Sequence, residues 1–203
     1  MYNKRLGDIY FTAFDFETTG LYPDKDKIIE IGAVKYNLSG ERYVFSGLIN
    51  PEMSIPEAAS NVNGISDNMV ADKPLMKDIL PDFIDFIDGT VLVAHNIGFD
   101  AAFLMFAIDF LGFKIDNLVC IDTIILAKHF FKGFRSYKLG NIAKNIGIDL
   151  TNAHRAEDDA VACMELFLKC IDSIPDKENI ELRQLMKISG HRKKTLADSK
   201  RNR

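Results

Sequence analysis

The chain has 203 residues, 47% of them hydrophobic and 27% charged, which fits one globular domain with a substantial core and a short appendage. Its longest apolar stretch, Ala101 to Ile108, falls far short of the roughly 20 residues that span a bilayer, and Met1 to Asp8 lacks the basic-then-apolar order of an export signal, so a soluble, cytoplasmic protein with no membrane partner is expected. The net charge of -4 hides an asymmetry: residues 187–203 hold seven Lys or Arg against Asp198 alone, a net +6 that leaves -10 on the rest. An acidic body with a basic tail offers no broad phosphate-binding surface, although bound cations would let it meet one end of a nucleic acid.

In chain order, Ile9 to Phe16, Ile28 to Tyr36 and Tyr43 to Ile49 read as strands, separated by turn residues at Pro23-Asp24 and Ser39-Gly40. Three strands so close together predict an antiparallel meander. The period then changes. Leu80, Phe83, Ile84 and Ile87 fall at helical intervals within Leu75 to Ile87, and Val91 to Ala94 is a short continuous apolar run of the buried parallel kind. Phe99 to Leu111 is apolar nearly all round, as in a helix buried against a sheet. A strand at Leu118 to Ile121 and helices at Thr123 to Phe131, Leu139 to Ile146 and Ala156 to Ile171 complete the series, and Pro175-Asp176-Lys177 marks the expected end of the main fold. The predicted organisation is therefore a body over 1–175 and a C-terminal helix or basic tail over 176–203, too polar from Ser189 on to bury much surface. Strands first and strand-helix alternation afterwards imply an α/β mixed sheet with helices on its faces, the first strand central and the site at the strand ends. Cys120, Cys163 and Cys170 form no Cys-x-x-Cys pair and are read as core residues.

The most informative segment is Phe14-Asp15-Phe16-Glu17-Thr18-Thr19-Gly20. On a strand, Asp15 and Glu17 share one face while Phe14 and Phe16 fill the other. Two partly desolvated carboxylates so close ask for a cation, and a divalent metal meets that need. Gly20 permits a sharp turn that would leave the backbone N–H groups of Thr18 and Thr19 free for a ligand. The alternative is a half-buried strand with its acids facing water. Later in the chain, Asp100 follows His95-Asn96 in the first turn of a helix, and His154-Arg155-Ala156-Glu157-Asp158-Asp159 runs from a loop into another. Acids at helix starts are favoured by the dipole alone, so neither segment decides anything by itself.

In combination they do. Asp-x-Glu on a first strand, Asp in a helix after His-Asn, and His-x-x-x-x-Asp before an Ala-rich helix resemble the DnaQ-like, or DEDDh, family of 3'-to-5' exonucleases, with Asp15, Glu17, Asp100, His154 and Asp159 at the matching positions. The resemblance runs from about Phe11 to Leu168 and includes Ile28-Ile29-Glu30-Ile31-Gly32-Ala33-Val34, Asn63-Gly64-Ile65-Ser66 and Ser136-Tyr137-Lys138-Leu139. It implies a ribonuclease H-like mixed sheet of five strands, and the Thr-Thr-Gly form of the first motif looks closest to the proofreading subunits and domains of bacterial replicative polymerases.

The resemblance implies two divalent ions, Mg²⁺ or Mn²⁺, held by Asp15, Glu17, Asp100 and Asp159, with Asp15 bridging, Glu17 and Asp159 on the ion that carries the attacking water, and Asp100 supporting the second. His154 is the implied general base, a side chain that exchanges protons near neutral pH. Backbone at Thr18 and Thr19 would meet the 3'-hydroxyl, and Leu21, Val62 and Ile65 the last base or sugar. Asn63 stands where some family members carry His. Phe99 reads as packing, His95 as a hydrogen-bonding residue that orients the site, and Lys128, Lys132, Arg135 and Lys138 as a sparse basic strip along upstream phosphates or a solvated face. The expected activity is stepwise hydrolysis at single-stranded DNA 3' ends, releasing 5'-mononucleotides, in proofreading for a DNA polymerase catalytic subunit. The alternatives are an exoribonuclease of the same fold and a binding module without chemistry.

Overall fold

A computed structural model describes residues 1–115, 118–150 and 154–189. Most of the basic tail, from Gly190 on, lies outside the described residues. Five strands form one mixed sheet: β1 (Phe11–Thr18), β2 (Ile28–Tyr36), β3 (Arg42–Leu48), β4 (Val91–Ala94) and β5 (Cys120–Asp122) lie in the order β3-β2-β1-β4-β5. β1 pairs antiparallel with β2 and parallel with β4, which makes it the central strand, as expected from early strands followed by strand-helix alternation. The helices are α1 (Glu57–Asn63), α2 (Asp67–Val70), α3 (Met76–Ile87), α4 (Ile97–Phe110), α5 (Thr123–Phe130), α6 (Leu139–Ile146), α7 (Ala156–Asp172) and α8 (Leu182–Ile188).

The strand period of two separates two cores. Phe14 and Phe16 of β1, with Ile31 and Ala33 of β2, face Leu80, Phe83 and Leu104 of α3 and α4. Phe11 and Ala13, with Val34 and Tyr36, face Cys163, Phe167 and Cys170 of α7 together with residues of α5, α6 and α8. Asp15 and Glu17 belong to this second face, beyond the end of its apolar filling. The three cysteines are buried, in keeping with a packing role.

Where element bounds differ from the sequence reading, the cause is local. α4 begins at Ile97 rather than Phe99 because Asn96 turns the chain out of β4 at a left-handed φ of 66°, and the helix follows at once. β5 is displaced to Cys120–Asp122, where it pairs with Leu92 to Ala94. Neither α1 nor α2 was expected; they are 7 and 4 residues long, too short for a helical period to show, and the small cluster of Ile29, Ile55, Ile65 and Val70 holds them to the sheet. After Pro175 the chain turns back: Leu6 N–H donates to Ile180 O and Leu182 N–H to Lys4 O, both at 2.9 Å, and Leu182, Leu185 and Met186 of α8 are buried in the α7-side core.

Candidate active site

The site lies where the central strand meets the start of α7. Across the β1/β2 ladder Asp15 is opposite Gly32 and Glu17 opposite Glu30, all on the α7 face. Gly32 is what lets α7 come so near: a Cβ there would stand 2.1 Å from the carbonyl carbon of Ala156 and 2.2 Å from Glu157 N. The close approach carries Asp159, near the N-terminus of α7, over the two strand carboxylates.

Glu17, His154 and Asp159 each offer a ligand atom, and these atoms lie within 4.8 Å of one another. His154 sits at a left-handed φ of 70°, and its N–H donates to Asp159 Oδ2 at 3.1 Å. On the other side of Asp15, Asp100 projects from the first turn of α4, is 2% exposed, and accepts the Phe16 N–H at 3.2 Å. The four carboxylates therefore surround the end of β1, and each raises the pKa of at least one neighbour.

Their protonation reflects it. Burial first, then the charges of Asp100, Asp159, Glu17 and Glu30, push Asp15 well above the ordinary carboxylate range. Glu17 is raised to about 7 by burial and by Asp159 and Glu30, against the lowering effect of the Asn63 amide and the Arg155 guanidinium. Asp100 is raised to about 7, chiefly by burial, although N–H groups of Phe16 and its own backbone oppose the rise. Asp159 is raised by burial and lowered in part by the His154 N–H and charge. Such a set is short of positive charge, since Arg155 is committed to Glu30 at 2.7 Å. Converging oxygen donors with one imidazole suit a hard divalent cation, so the residues fit the ions that the resemblance implies.

The expected substrate-contacting residues are distributed unevenly. Leu21 is 71% and Val62 59% exposed, and both present apolar surface at the rim. Ile65 does not: it is fully buried among Ile29, Ile55 and Val70 and offers a ligand no surface in this conformation. Asn63 is buried, with Oδ1 accepting the Ile65 N–H at 3.0 Å. The Thr19 N–H, expected to be free, donates to Lys27 O at 2.9 Å, and the Thr18 hydroxyl donates to Gly20 O at 2.6 Å. Gly20 serves a close approach as well as a turn, because a Cβ there would meet the Asp26 carboxylate at 2.4 Å, and that carboxylate accepts the Tyr22 N–H at 2.8 Å.

His95 hydrogen-bonds within the framework, as expected. Its Nε2 lies 2.7 Å from Tyr137 O and its Nδ1 2.9 Å from Thr123 Oγ1. A carbonyl only accepts, so Nε2 carries a proton; burial lowers the pKa. Phe99 packs against Phe103 at 5.1 Å between ring centroids. Lys128, Arg135 and Lys138 line one exposed groove beside Asn96. Sequence reasoning passed over Glu30, Gly32 and Arg155 as functional residues. The available signal was Glu30 and Gly32 inside the apolar run 28–34.

Fold and site together define a ribonuclease H-like α/β protein with an acidic, metal-fitting centre at the end of its central strand. The sequence profile of the exonuclease family RNase_T matches residues 12–167, and the chain belongs to that family. It is 45% identical over 165 residues to the DNA polymerase III subunit epsilon of Treponema pallidum, covering 80% of this chain and 77% of that one. It is 39% identical over 166 residues to a PolC-type DNA polymerase III of Caldanaerobacter subterraneus subsp. tengcongensis, covering 82% of this chain but spanning only 12% of that much longer protein. Among solved structures, exonuclease X in complex with 5' overhanging duplex DNA has the same fold, with a TM-score of 0.68, 24% identity, and coverage of 89% of this chain and 99% of that one. Among the described residues, no helix is long and apolar enough to cross a membrane.

Proposed function

We propose that this protein is a 3'-to-5' exonuclease that removes 5'-mononucleotides from single-stranded DNA ends and proofreads for a DNA polymerase in the cytoplasm. The observation that carries the reading is the convergence of Glu17, His154 and Asp159 within 4.8 Å, beside Asp15 and the buried Asp100. Asp15, Glu17, Asp100 and Asp159 would hold two divalent ions, Mg²⁺ or Mn²⁺. The chemistry such ions supply when bound is neutralisation of charge on the phosphate and a lowered pKa for bound water.

The remaining work falls to the chain's own groups. His154, fixed through its backbone to Asp159, takes a proton from the attacking water through its imidazole. The water oxygen forms the new bond to phosphorus, the bond from phosphorus to the 3' oxygen breaks, and that oxygen regains a proton to leave a new 3'-hydroxyl. Leu21 and Val62 are exposed apolar side chains suited to pack on the terminal base or sugar. Because the Thr19 N–H is engaged by Lys27 O, the contact to the 3'-hydroxyl falls to the backbone at Thr18.

Similarity to an epsilon subunit and to one segment of a PolC-type polymerase supports association with a polymerase catalytic subunit. The deciding experiment is product analysis on end-labelled DNA and RNA with free and blocked 3' termini, in Mg²⁺ or Mn²⁺. Mononucleotides released from free DNA 3' ends, none from blocked ends, and at least about tenfold slower release from RNA are expected, on the argument that a site shaped to one sugar leaves polar groups mismatched with the other. Internal cleavage, release from 5' ends, faster digestion of RNA, or no release from any substrate overturns the reading.

A further inference from the structure

The acidic face carries one more carboxylate than the reaction uses. Glu30 lies opposite Glu17 on β2, with its side chain 6% exposed. Arg155 Nη2 donates to its Oε1 at 2.7 Å, and Arg155 Nε lies 3.2 and 3.3 Å from its two oxygens. The Ala156 N–H, at the first position of α7, donates to Oε2 at 3.1 Å. Glu30 is thus the seat of the two residues that directly follow His154.

Electrostatically it is an awkward neighbour, because its charge adds to the protonation of Asp15, Glu17 and Asp159. Nor does net stability explain it, since the desolvation of the buried Glu30 carboxylate offsets much of its attraction to the half-exposed Arg155, and an apolar side chain at position 30 would not oppose the acid cluster. What the pair does supply is direction. A planar guanidinium docks on a carboxylate in a defined orientation, so Arg155 and the Ala156 N–H together fix the backbone after His154. Asp159 fixes it from the other side through the His154 N–H. Between these anchors His154 is held at φ 70°, a conformation that residues other than glycine keep only where the surroundings impose it.

We propose that Glu30, acting through Arg155 and the Ala156 N–H, is a positioning residue that holds His154 in the left-handed conformation placing its imidazole beside Glu17 and Asp159. The inference rests on the role given to His154 above. Glu30→Gln keeps the shape of the side chain but removes the charge that seats the guanidinium; Arg155→Lys keeps the positive charge but removes the planar fork. Each is expected to lower kcat on single-stranded DNA about 10- to 100-fold, with KM within about threefold, because displacement of a reacting group by an ångström reduces rate on that scale. In a His154→Ala background, Glu30→Gln should lower kcat less than about threefold further, since a residue that acts through another loses its effect once the other is gone.

Hydrogen exchange needs neither substrate nor metal. Glu30→Ala should speed exchange of the amides at 154–156 at least about tenfold while those of β1 stay slow. A raised KM at unchanged kcat, full activity from Arg155→Lys, an undiminished loss in the His154→Ala background, or unchanged exchange at 154–156 overturns the inference. Wild-type protein that releases no nucleotide overturns the nuclease reading instead, and the exchange measurement then still decides the positioning.

Discussion

Asp15 shows at a single residue how this site trades stability for chemistry. Its carboxylate is desolvated and faces Asp100, Asp159 and Glu17, so without cations the folded protein holds a group that strongly resists ionisation. Asp15→Asn leaves the side-chain volume almost unchanged and removes the charge. Nucleotide release should fall at least about 1,000-fold, and the thermal midpoint of the metal-free protein at pH 8 should rise by about 3 °C or more, since the folded protein no longer has to take up a proton at a buried carboxylate that the unfolded chain leaves ionised. Calorimetry in EDTA beside a release assay checks both. An active Asp15→Asn enzyme would remove Asp15 from the centre, and a lowered midpoint would mean that its carboxylate makes stabilising contacts that outweigh the repulsion. The pairing of Asp15 with Glu17 was legible because residues two apart on a strand share a face; the engagement of Thr19 N–H by Lys27 was not, because it depends on how residues 20–26 fold around the Asp26 carboxylate.

At the scale of elements, the site is a junction of β1, β2 and α7, and the junction depends on missing volume at Gly32. Strands β1, β2 and β4 and helices α6 and α7 follow from hydrophobic period, because each buries one regular face or a continuous run. Their separation in space follows less readily, since nothing in a period of two says how near a helix may approach. The glycine says it, once the strand is known to be central. Gly32→Ala would put a methyl group 2.1 Å from the Ala156 carbonyl carbon, backbone that cannot move aside as a flexible side chain can. We expect a loss of about 1–3 kcal/mol in urea unfolding, the usual penalty of overpacking, together with a loss of activity of at least about 100-fold because α7 carries Asp159 and follows His154. Unchanged activity at reduced stability would show that α7 shifts without moving Asp159 and His154 from their places beside Glu17. Elements α1 and α2, and the packing of α8 within the expected C-terminal helix or tail, escaped the sequence reading for a related reason. Each of these helices is short and is held by contacts distant in the chain: Val70 of α2 packs in the small cluster with Ile29, and Leu182, Leu185 and Met186 of α8 lie in the core with Leu6.

For the molecule as a whole, the acid cluster links folding to pH. Glu17 moves from an ordinary value of 4.5 to about 7, and Asp100 from 3.8 to about 7, so between roughly pH 4 and 7 the folded protein binds protons that the unfolded chain has released. For groups raised on folding, the stabilising contribution is complete below the unfolded values and is lost as pH rises through the folded ones. Metal-free protein should therefore be more stable at pH 5.5 than at pH 8, with thermal midpoints differing by about 5 °C or more. Divalent cations invert the contrast, because they bind the ionised carboxylates and must displace protons to do so. Addition of Mn²⁺ should raise the midpoint markedly at pH 8 and little at pH 5.5. Midpoints that climb steadily from pH 5.5 to 8 in EDTA, or a Mn²⁺ effect equal at both, would contradict a centre whose carboxylates hold protons up to about neutral pH through burial and mutual repulsion.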